Sequence, residues 1–396
     1  MTARSRVVAR GARGLLLALA VLCCTPPPLH AMRTDSLASG TLEPAIGSQR
    51  ADAVGVVHIG GYVEAGGRWL RSNGISEGLG LELKRFNLMT STELQRRVRV
   101  SGEIELEDGG EEIVLELAQV DVLLRASANL RAGILLLPLG RFNLSHDGPG
   151  NDLPSRPAMA TDLLGSALSQ PGLGVFGHLD LPHAGRLGYE AYAVTGYDEG
   201  ILLGGSGGTR LTEGRLNRRD SNASPAAVGR LEWSPARGHL YGLSGYTGTY
   251  NRHRSDGIAF DEARQVRIAV ADLGTRIAGF RLSGELAAVH VEIPVALSGI
   301  YASLQGGAFV QLSRHLGGGG PDGVTDRGFT AALRVDAVDL DRDLRGDSAR
   351  SLTLGLDWRP IPESGVKLAF TRGEQRDRFN NLSAFATLEF MFTSWF

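Results

Sequence analysis

Residues 351–359, SLTLGLDWR, alternate between apolar and small or polar side chains without a break. The apolar members of this segment are Leu352, Leu354, Leu356 and Trp358. The positions between them include the charged side chains of Asp357 and Arg359. A period of two residues is typical of a β-strand, because successive side chains point to opposite faces of the sheet. The segment therefore predicts a strand with one apolar face and one wet face.

The same two-residue period recurs from Ala51 to the C-terminus, in segments that are separated by turn-forming residues. It is clear in 98–106, where apolar residues alternate with glutamates and an arginine, and again in 366–371. The pattern predicts sixteen strands. They span roughly 56–66, 79–89, 93–108, 111–126, 129–140, 173–181, 186–197, 226–234, 238–250, 263–273, 275–291, 300–314, 328–338, 349–359, 364–373 and 383–396.

The connections between these segments alternate between short and long along much of the chain. The short ones lie near 126–128, 182–185, 234–237 and 360–363. The long ones cover about 141–172, 198–225, 251–262, 339–348 and 374–382. Two connections break the rule, since 315–327 is long where a short turn is expected and 108–110 is short where a long loop is expected. Short turns at one end and long loops at the other are typical of bacterial outer-membrane barrels.

These patterns predict an all-β protein, a transmembrane antiparallel β-barrel of about 16 strands with short periplasmic turns and longer outer loops. A sheet can cross the hydrocarbon layer only if it closes on itself, because no water is present there to satisfy an open edge. A barrel of sixteen strands is wide enough to leave an aqueous channel. The predicted barrel covers 55–396 and follows a short leader at 32–54.

The segment 1–31 has the layout of a secretory signal peptide. Four arginines precede an apolar run of 11 residues from Gly14 to Cys24, and a loop-like stretch ends at Ala31. A run of this length is too short to cross a membrane, which takes about 20 residues. A lipid anchor on Cys23 or Cys24 is the alternative. Both cysteines lie in this segment, so the mature chain is expected to have no disulfide and no thiolate metal site.

The composition of the mature chain argues against nucleic-acid binding. Without the four arginines of the signal peptide, 37 basic residues face 43 acidic ones, a net charge of about −6. A nucleic-acid binder would be strongly basic. No mature segment contains 18 consecutive apolar residues, so the sequence predicts no transmembrane helix.

Alternation assigns many charged side chains to the inside of the barrel. So many charges would be very costly in a dry core, which indicates a wet interior. The 141–172 loop is predicted to fold into the lumen as a constriction, with an outer lid as the alternative, and its apolar anchors would be Leu144, Met159, Leu163, Leu164 and Leu168. The predicted pore-lining or constriction residues are Arg97, Arg99, Glu103, Glu105, Arg131, Asp147, Asp152, Arg156, Asp162, Arg334 and Lys367.

The sequence predicts no catalytic residue and no metal site. His146 and Asp147 could join Asp152 and Asp162 in a metal cluster, but none of the recognised ligand spacings accompanies them. No GxSxG elbow marks a nucleophilic serine. We therefore predict a protein that is not an enzyme and that carries no cofactor.

Three parts of the chain are similar to a known family. They are 130–133 running into 138–143 with His146, Asp147, Arg156 and Pro157 after them, 352–360 followed by 366–368, and the terminal Phe396. The chain thus resembles the phosphate-selective porin O and P superfamily and its broader relatives. The resemblance implies a sixteen-stranded barrel, a homotrimer and passive uptake of anionic solutes.

The lysine content departs from that family. Its phosphate selectivity depends on lysine clusters and an arginine ladder in the pore, whereas this chain has only Lys84 and Lys367. The resemblance is therefore taken to imply the fold and the channel role, and not the phosphate specificity. The residues predicted to attract anions are Arg97, Arg99, Arg131 and Arg156.

The sequence thus predicts an exported porin of the Gram-negative outer membrane, through which small polar or anionic solutes diffuse passively. Its expected partners are outer-membrane lipid, further copies of itself in a homotrimer, and the barrel-assembly machinery, which would read the final strand ending at Phe396. The alternatives are a lipid-hydrolysing barrel enzyme, an adhesive or structural barrel, and a soluble secreted β-protein.

Overall fold

The computed structural model describes residues 56–204, 207–215, 217–317 and 327–396. The predicted signal peptide at 1–31 and the predicted leader at 32–54 lie outside the described residues. The barrel strands are β1 (Val57–Ser72), β2 (Ile75–Leu94), β3 (Val98–Glu107), β4 (Glu112–Arg125), β5 (Ala128–Leu136), β6 (Ser169–Leu181), β7 (Gly185–Val194), β8 (Ala226–Ala236), β9 (His239–Thr249), β12 (Gln265–Ile277), β13 (Phe280–Val291), β14 (Leu304–His315), β15 (Gly328–Asp339), β16 (Ser348–Ile361), β17 (Ser364–Arg376) and β18 (Leu382–Trp395).

These sixteen strands form one closed antiparallel barrel, in which each strand pairs with its neighbours in sequence and β1 pairs with β18 to complete the ring. A separate hairpin of β10 (Arg254–Ser255) and β11 (Ile258–Ala259) lies in the loop between β9 and β12. The predicted fold class and the predicted number of barrel strands are confirmed. Among the described residues, no helix is long and apolar enough to cross a membrane.

Side chains of the strands alternate between the outside and the inside of the barrel, as β16 shows. Leu354 and Trp358 point outward and are 54% and 45% exposed, whereas Thr353 and Asp357 point inward and are 0% and 2% exposed. The outer face is thus apolar and the inner face of this strand is polar. This is the arrangement that lipid on one side and a polar lumen on the other require.

The connections divide into a short-turn end and a long-loop end. At the short-turn end the connections are 95–97, 126–127, 182–184, 237–238, 278–279, 316–327 and 362–363. At the long-loop end they are 73–74, 108–111, 137–168, 195–225, 250–264, 292–303, 340–347 and 377–381. The first hairpin differs from the prediction, because β1 and β2 continue past the predicted bounds of 66 and 79 to a two-residue turn at Asn73 and Gly74. These two residues have φ of 48° and 85°. Positive φ at both central residues permits a two-residue turn that matches the strand twist, so both strands continue up to it.

Aromatic side chains gather on the outer face at the short-turn end. Trp233 lies 5.8 Å from Tyr241, Phe329 stacks on Trp358 at 6.3 Å, and Phe396 stacks on Phe86 at 5.7 Å. All six side chains are between 37% and 60% exposed. Aromatic girdles mark the membrane interfaces of such barrels, because one end of each ring system is apolar and the other tolerates water.

The C-terminal residue takes part in closing the ring. The backbone N–H of Phe396 donates to the carbonyl of Gly61 at 3.0 Å, and the N–H of Gly61 donates back at 3.1 Å. Along β18, Leu388 and Phe392 are exposed, while Thr387 and Thr393 are buried on the inner side. The two-residue alternation that the sequence predicts for the barrel strands is therefore present in β18. Its recognition by the barrel-assembly machinery stays a prediction.

One stretch of strand has an uncovered edge. The ladder between β2 and β3 begins at Arg85, whereas β2 and β1 pair from Ile75 onward. Residues 75–84, here called the β2 edge, therefore have a strand partner on one side only within the described part of the chain. Leu79 and Leu81 of this edge are 61% and 75% exposed. The neighbouring connection at 108–111 is short, so the barrel wall is low here.

Candidate functional site

The loop between β5 and β6, residues 137–168 and here called the inner loop, lies inside the barrel. It contains a short helix α1 (Arg141–Leu144), a 3-10 turn (Gly148–Gly150) and a π-helical turn (Met159–Leu164). Its atoms bond to inward side chains of nine strands, β2 to β4, β9 and β13 to β17. The structure thus places in the lumen the loop that was predicted at 141–172, and an outer lid is not observed.

Asn143 joins the two ends of the inner loop. Its amide nitrogen donates to the carbonyls of Leu137 and Leu168 at 2.8 and 2.9 Å, and its amide oxygen accepts from the N–H of Leu168 at 2.8 Å. Leu137 N–H also donates to Leu168 O at 3.0 Å. The loop therefore leaves the wall and returns to it at one narrow neck.

Apolar side chains hold one part of the inner loop. All five predicted anchors are buried, namely Leu144, Met159, Leu163, Leu164 and Leu168. Four of them pack in one cluster with inward residues of β7 to β9 and β12 to β15, and with Tyr197 and Ile201 of the 195–225 loop. On β12 the wall residues of this cluster are Val266, Ile268 and Val270. The prediction of a wet, charged interior is wrong for this part of the wall, because two loops cover it and make it a dry core.

Two wall glycines make room for the inner loop. A Cβ built on Gly355 of β16 would lie 2.2 Å from Cδ2 of Leu153, and one built on Gly307 of β14 would lie 2.8 Å from Cγ of Met159. Such distances are shorter than van der Waals contact, so a side chain at either position would force Leu153 or Met159 to move. The wall is thus shaped to the loop as well as bonded to it.

Arg334 on β15 clamps the polar part of the inner loop. Its guanidinium donates to Ser155 O at 2.7 Å, to Ser155 Oγ at 3.0 Å and to Arg156 O at 3.2 Å. Its Nε also donates to Asp336 at 2.7 Å, and the other Asp336 oxygen accepts from Ala158 N–H at 3.2 Å. The arginine and aspartate side chains are 4% and 2% exposed. One buried ion pair therefore holds three residues of the loop, Ser155, Arg156 and Ala158.

The 3-10 turn of the inner loop rests on two basic side chains. Lys367 of β17 is fully buried and donates to Gly148 O at 2.6 Å. Arg359 of β16 donates to Pro149 O, and its Nε donates to Asp357 at 2.9 Å. Because both side chains are buried and each donates to a loop carbonyl, these two cations position the inner loop.

Asp152 crosses the lumen to the wall of β13 and β14. It forms an ion pair with Arg281 and accepts from Ser313 Oγ at 2.6 Å and from Gln311 Nε2 at 2.9 Å. Burial alone would raise the pKa of Asp152, but Arg281 and Ser313 outweigh it and lower the pKa. The loop is therefore held to this wall by a carboxylate that stays ionised.

The wall of β1 to β4 carries a surplus of carboxylates. Arg85 on β2 bonds to Glu64 at 3.2 Å, to Glu105 at 3.2 Å and to Glu107 at 2.9 Å. Arg156 of the inner loop lies 3.8 Å from Glu105. Three acidic side chains of this wall thus share one strand arginine and one loop arginine.

Two β-bulges deliver charged side chains to the loop. The register between β1 and β2 shifts at Lys84, whose Nζ donates to Pro154 O at 3.0 Å. The register between β3 and β4 shifts at Glu116, so that Glu116 and Leu117 are both buried. A bulge re-aims the side chain of its extra residue, which strict alternation cannot anticipate.

The inner loop brings together seven of the eleven predicted residues: Glu103, Glu105, Asp147, Asp152, Arg156, Arg334 and Lys367. The other four are not part of this group. Arg97 is exposed in a turn at the short-turn end, Arg99 lies near it, and Asp162 belongs to the inner loop but is exposed. Arg131 forms a buried bidentate pair with Asp121 at 2.7 and 3.0 Å.

Sequence reasoning missed several inward residues of the site. They are Tyr62, Glu64, Arg85, Asn87, Asp272 and Glu285. Tyr62 and Glu64 alternate along β1, and Arg85 and Asn87 alternate along β2, so the two-residue period was the available signal. On β1 the glycines around Tyr62 and Glu64 weaken that period, and on β2 the bulge beside Arg85 interrupts it.

Comparisons with known proteins agree on the fold. The chain superposes on an anion-selective porin from Comamonas acidovorans with a TM-score of 0.56 and 13% identity, over 86% of this chain and 99% of that one. It superposes on OmpF of Salmonella typhi, solved with daunomycin, with a TM-score of 0.56 and 11% identity, over 86% and 97% of the two chains. OprB of Pseudomonas putida gives 0.56 and 11%, over 86% and 94%. The chain therefore has the sixteen-stranded barrel fold of these outer-membrane porins.

Sequence comparison adds less. No family model matches the chain. An uncharacterized protein of Aquifex aeolicus is 30% identical over 147 residues, which are 35% of this chain. The match spans about a third of that relative's length, 32%.

Proposed function

We propose that the protein is a porin of the Gram-negative outer membrane that lets small polar solutes diffuse passively. The observation that carries the proposal is a closed sixteen-stranded barrel with an apolar outer face and a charged loop folded across its lumen. A barrel of this size leaves an aqueous channel that an inserted loop can narrow. The fold shared with known porins supports the same function.

We propose weak selectivity, with anionic solutes included among those that pass. Three inward arginines of β13, β15 and β16 are paired with Asp152, Asp336 and Asp357, and carboxylates of β1 and β3 are paired in part with Arg85. Lining charges set ion preference only to the degree that they are not compensated. We do not propose for this protein the phosphate specificity of the porin O and P superfamily.

The test is single-channel recording of the refolded mature protein in a planar bilayer. We expect stepwise openings, and under a tenfold salt gradient a reversal potential well below the ~59 mV of a perfectly selective pore. The protein before refolding serves as the control. A folded, inserted barrel that carries no current would contradict the proposal and would direct attention to lipid hydrolysis, which a vesicle assay measures.

We also propose that the protein forms a homotrimer in which a neighbouring copy covers the β2 edge. An exposed strand edge with large apolar side chains invites pairing or burial, and stable proteins cover such edges. The low wall beside it, at 108–111, leaves space for that neighbour.

Replacing Leu79 and Leu81 with serine is expected to reduce the trimer fraction, because both side chains are exposed on the β2 edge. Cross-linking and light scattering in detergent measure the oligomer. The matched control replaces Leu243 and Leu286, each 60% exposed on the outer face of β9 and β13. An equal loss of trimer in both variants, or a monomeric wild type, would refute the assignment of this face.

A further inference from the structure

A histidine and two glutamates meet where the inner loop touches β3 and β4. One oxygen of Glu105, one oxygen of Glu116 and a ring nitrogen of His146 all lie within 4.8 Å of one another. All three residues are buried, at 1%, 3% and 1% exposure. Glu105 and Glu116 come from paired strands, and the bulge at Glu116 adds that side chain to the inner face. The group is therefore assembled by the fold and is not a surface cluster.

The hydrogen bonds of His146 define what its second nitrogen faces. Nδ1 lies 2.9 Å from the backbone carbonyl of Asn143, which can only accept, so Nδ1 carries a proton. Nε2 lies 3.3 Å from Oε2 of Glu116. Nε2 then presents either a second proton or a lone pair to a carboxylate oxygen. A carbonyl on Nδ1 is the outer partner that metal-ligating histidines use to fix their orientation.

Two further carboxylates near this group have an oxygen without a partner. Oε2 of Glu103 and Oδ1 of Asp147 accept no hydrogen bond from the described residues, although the two residues are only 1% and 7% exposed. Glu103 interacts electrostatically with Glu116, His146 and Asp147. Buried carboxylate oxygens that lack donors are costly, so their persistence beside a histidine points to a cation as the missing partner.

The balance of charge around the group favours a cation as well. Glu103, Glu105, Glu116 and Asp147 are four carboxylates, and their arginine partners are Arg85 and Arg156. Arg85 is shared with two further glutamates, and the Nε and Nη2 atoms of Arg156 make no hydrogen bond within the described part of the chain. Negative charge thus exceeds positive charge even with the arginines counted.

We propose that this group binds a divalent transition-metal ion, with His146 Nε2 and one oxygen each of Glu105 and Glu116 as ligands. Imidazole with carboxylates suits Zn²⁺ and similar ions. Ligands about 2.1 Å from Zn²⁺ stand about 3.4 Å apart, which small side-chain rotations of this group reach. Glu103 or Asp147 would supply a fourth oxygen. The ion would tie the inner loop to β3 and β4, and the loop would respond to the metal content of the surroundings.

The test measures Zn²⁺ bound by the refolded protein, by competition with a chromogenic chelator. We expect the wild type to bind one Zn²⁺ ion per chain and His146→Ala to bind none at this site. Glu116→Gln keeps the shape of the side chain, and we expect it to bind Zn²⁺ at least about tenfold more weakly than the wild type. The matched control is His178→Ala on β6, because that histidine lies outside the group. Co²⁺ in place of Zn²⁺ should give a visible absorption band that His146→Ala loses and that Glu116→Gln shows only at about tenfold higher Co²⁺ concentration.

Heat-modifiable migration in gels shows which variants have folded. If His146→Ala does not fold, the comparison between wild type and Glu116→Gln decides the test. Equal binding by wild type and Glu116→Gln would overturn the proposal and leave a His146–Glu116 ion pair in its place. The measurement does not use conductance, so it distinguishes a missing metal site from a barrel that is not a channel.

Discussion

A barrel whose inner loop is replaced by a short linker is expected to conduct more current per channel than the wild type, because the inner loop fills part of the lumen that a sixteen-stranded barrel leaves as an aqueous channel. Leu137 N–H donates to Leu168 O at 3.0 Å, so Gly-Gly-Ser-Gly can join these residues without moving the strands. Single-channel recording in planar bilayers measures the change. The same variant should lose any dependence of conductance on Zn²⁺.

The control for this deletion shortens another connection at the long-loop end, the one between β15 and β16. Residues 341–346 fit, because Leu340 N–H donates to Asp347 O at 2.8 Å and the ends can be joined by the same linker. Its conductance should stay near that of the wild type. An unchanged conductance in the inner-loop deletion would show that current does not pass where this loop lies.

Replacing Arg334 with alanine is expected to lower the free energy of unfolding by about 3–5 kcal/mol, which is the usual cost of removing one partner from a buried ion pair. Asp336 would keep a buried charge, and the bonds to Ser155 and Arg156 would be lost. Urea-dependent unfolding in lipid or detergent measures the change. Freed from this clamp, the inner loop should also make the open-channel current noisier.

Two companion variants separate the clamp from general effects of charge. Arg334→Lys keeps the charge but not the planar fork of donors, so it should recover only part of the stability. Arg350→Ala removes an exposed pair with Glu374, in which the side chains are 76% and 44% exposed, and should leave the unfolding midpoint unchanged. Equal destabilisation by Arg334→Ala and Arg350→Ala would contradict the role given to Arg334.

Strands such as β16 could be predicted from the sequence because their two faces meet different surroundings, one apolar and one polar. Leu354 and Leu356 face outward while Thr353 and Asp357 face inward, and this contrast is written into the order of residues along β16. The inner loop could be recognised for a similar reason, since a long polar connection that also carries buried leucines needs an apolar surface to pack on.

The contacts of the site could not be predicted in the same way. The bulges at Lys84 and Glu116 change the parity of their strands, and no local feature of the sequence fixes which residue is extra. The inner-loop residues that bond to Arg334 and Lys367 lie 178 to 219 positions away from them in the chain. Pairing over such distances depends on the curvature of the closed barrel, which alternation does not encode.

In the apolar part of the inner wall, the sequence also fails to indicate which face of a strand points into the barrel. On β12 the inward residues are Val266, Ile268 and Val270, while Ala269 and Ala271 face outward. Both faces are apolar, so alternation gives little indication of which one faces lipid. Only the packing of the inner loop and the 195–225 loop against the valines reveals the inside.

The span of the inner loop's anchors also bears on the order of events during assembly. The loop is bonded to β2, β3 and β4, which precede it in the chain, and to β15, β16 and β17, which follow it by well over 150 residues. Contacts between such distant segments form late, because the chain between them must first be ordered. The loop can therefore complete its contacts only after β15 to β17 have joined the sheet, so we expect the lumen of a nascent barrel to stay wide until these late strands are in place.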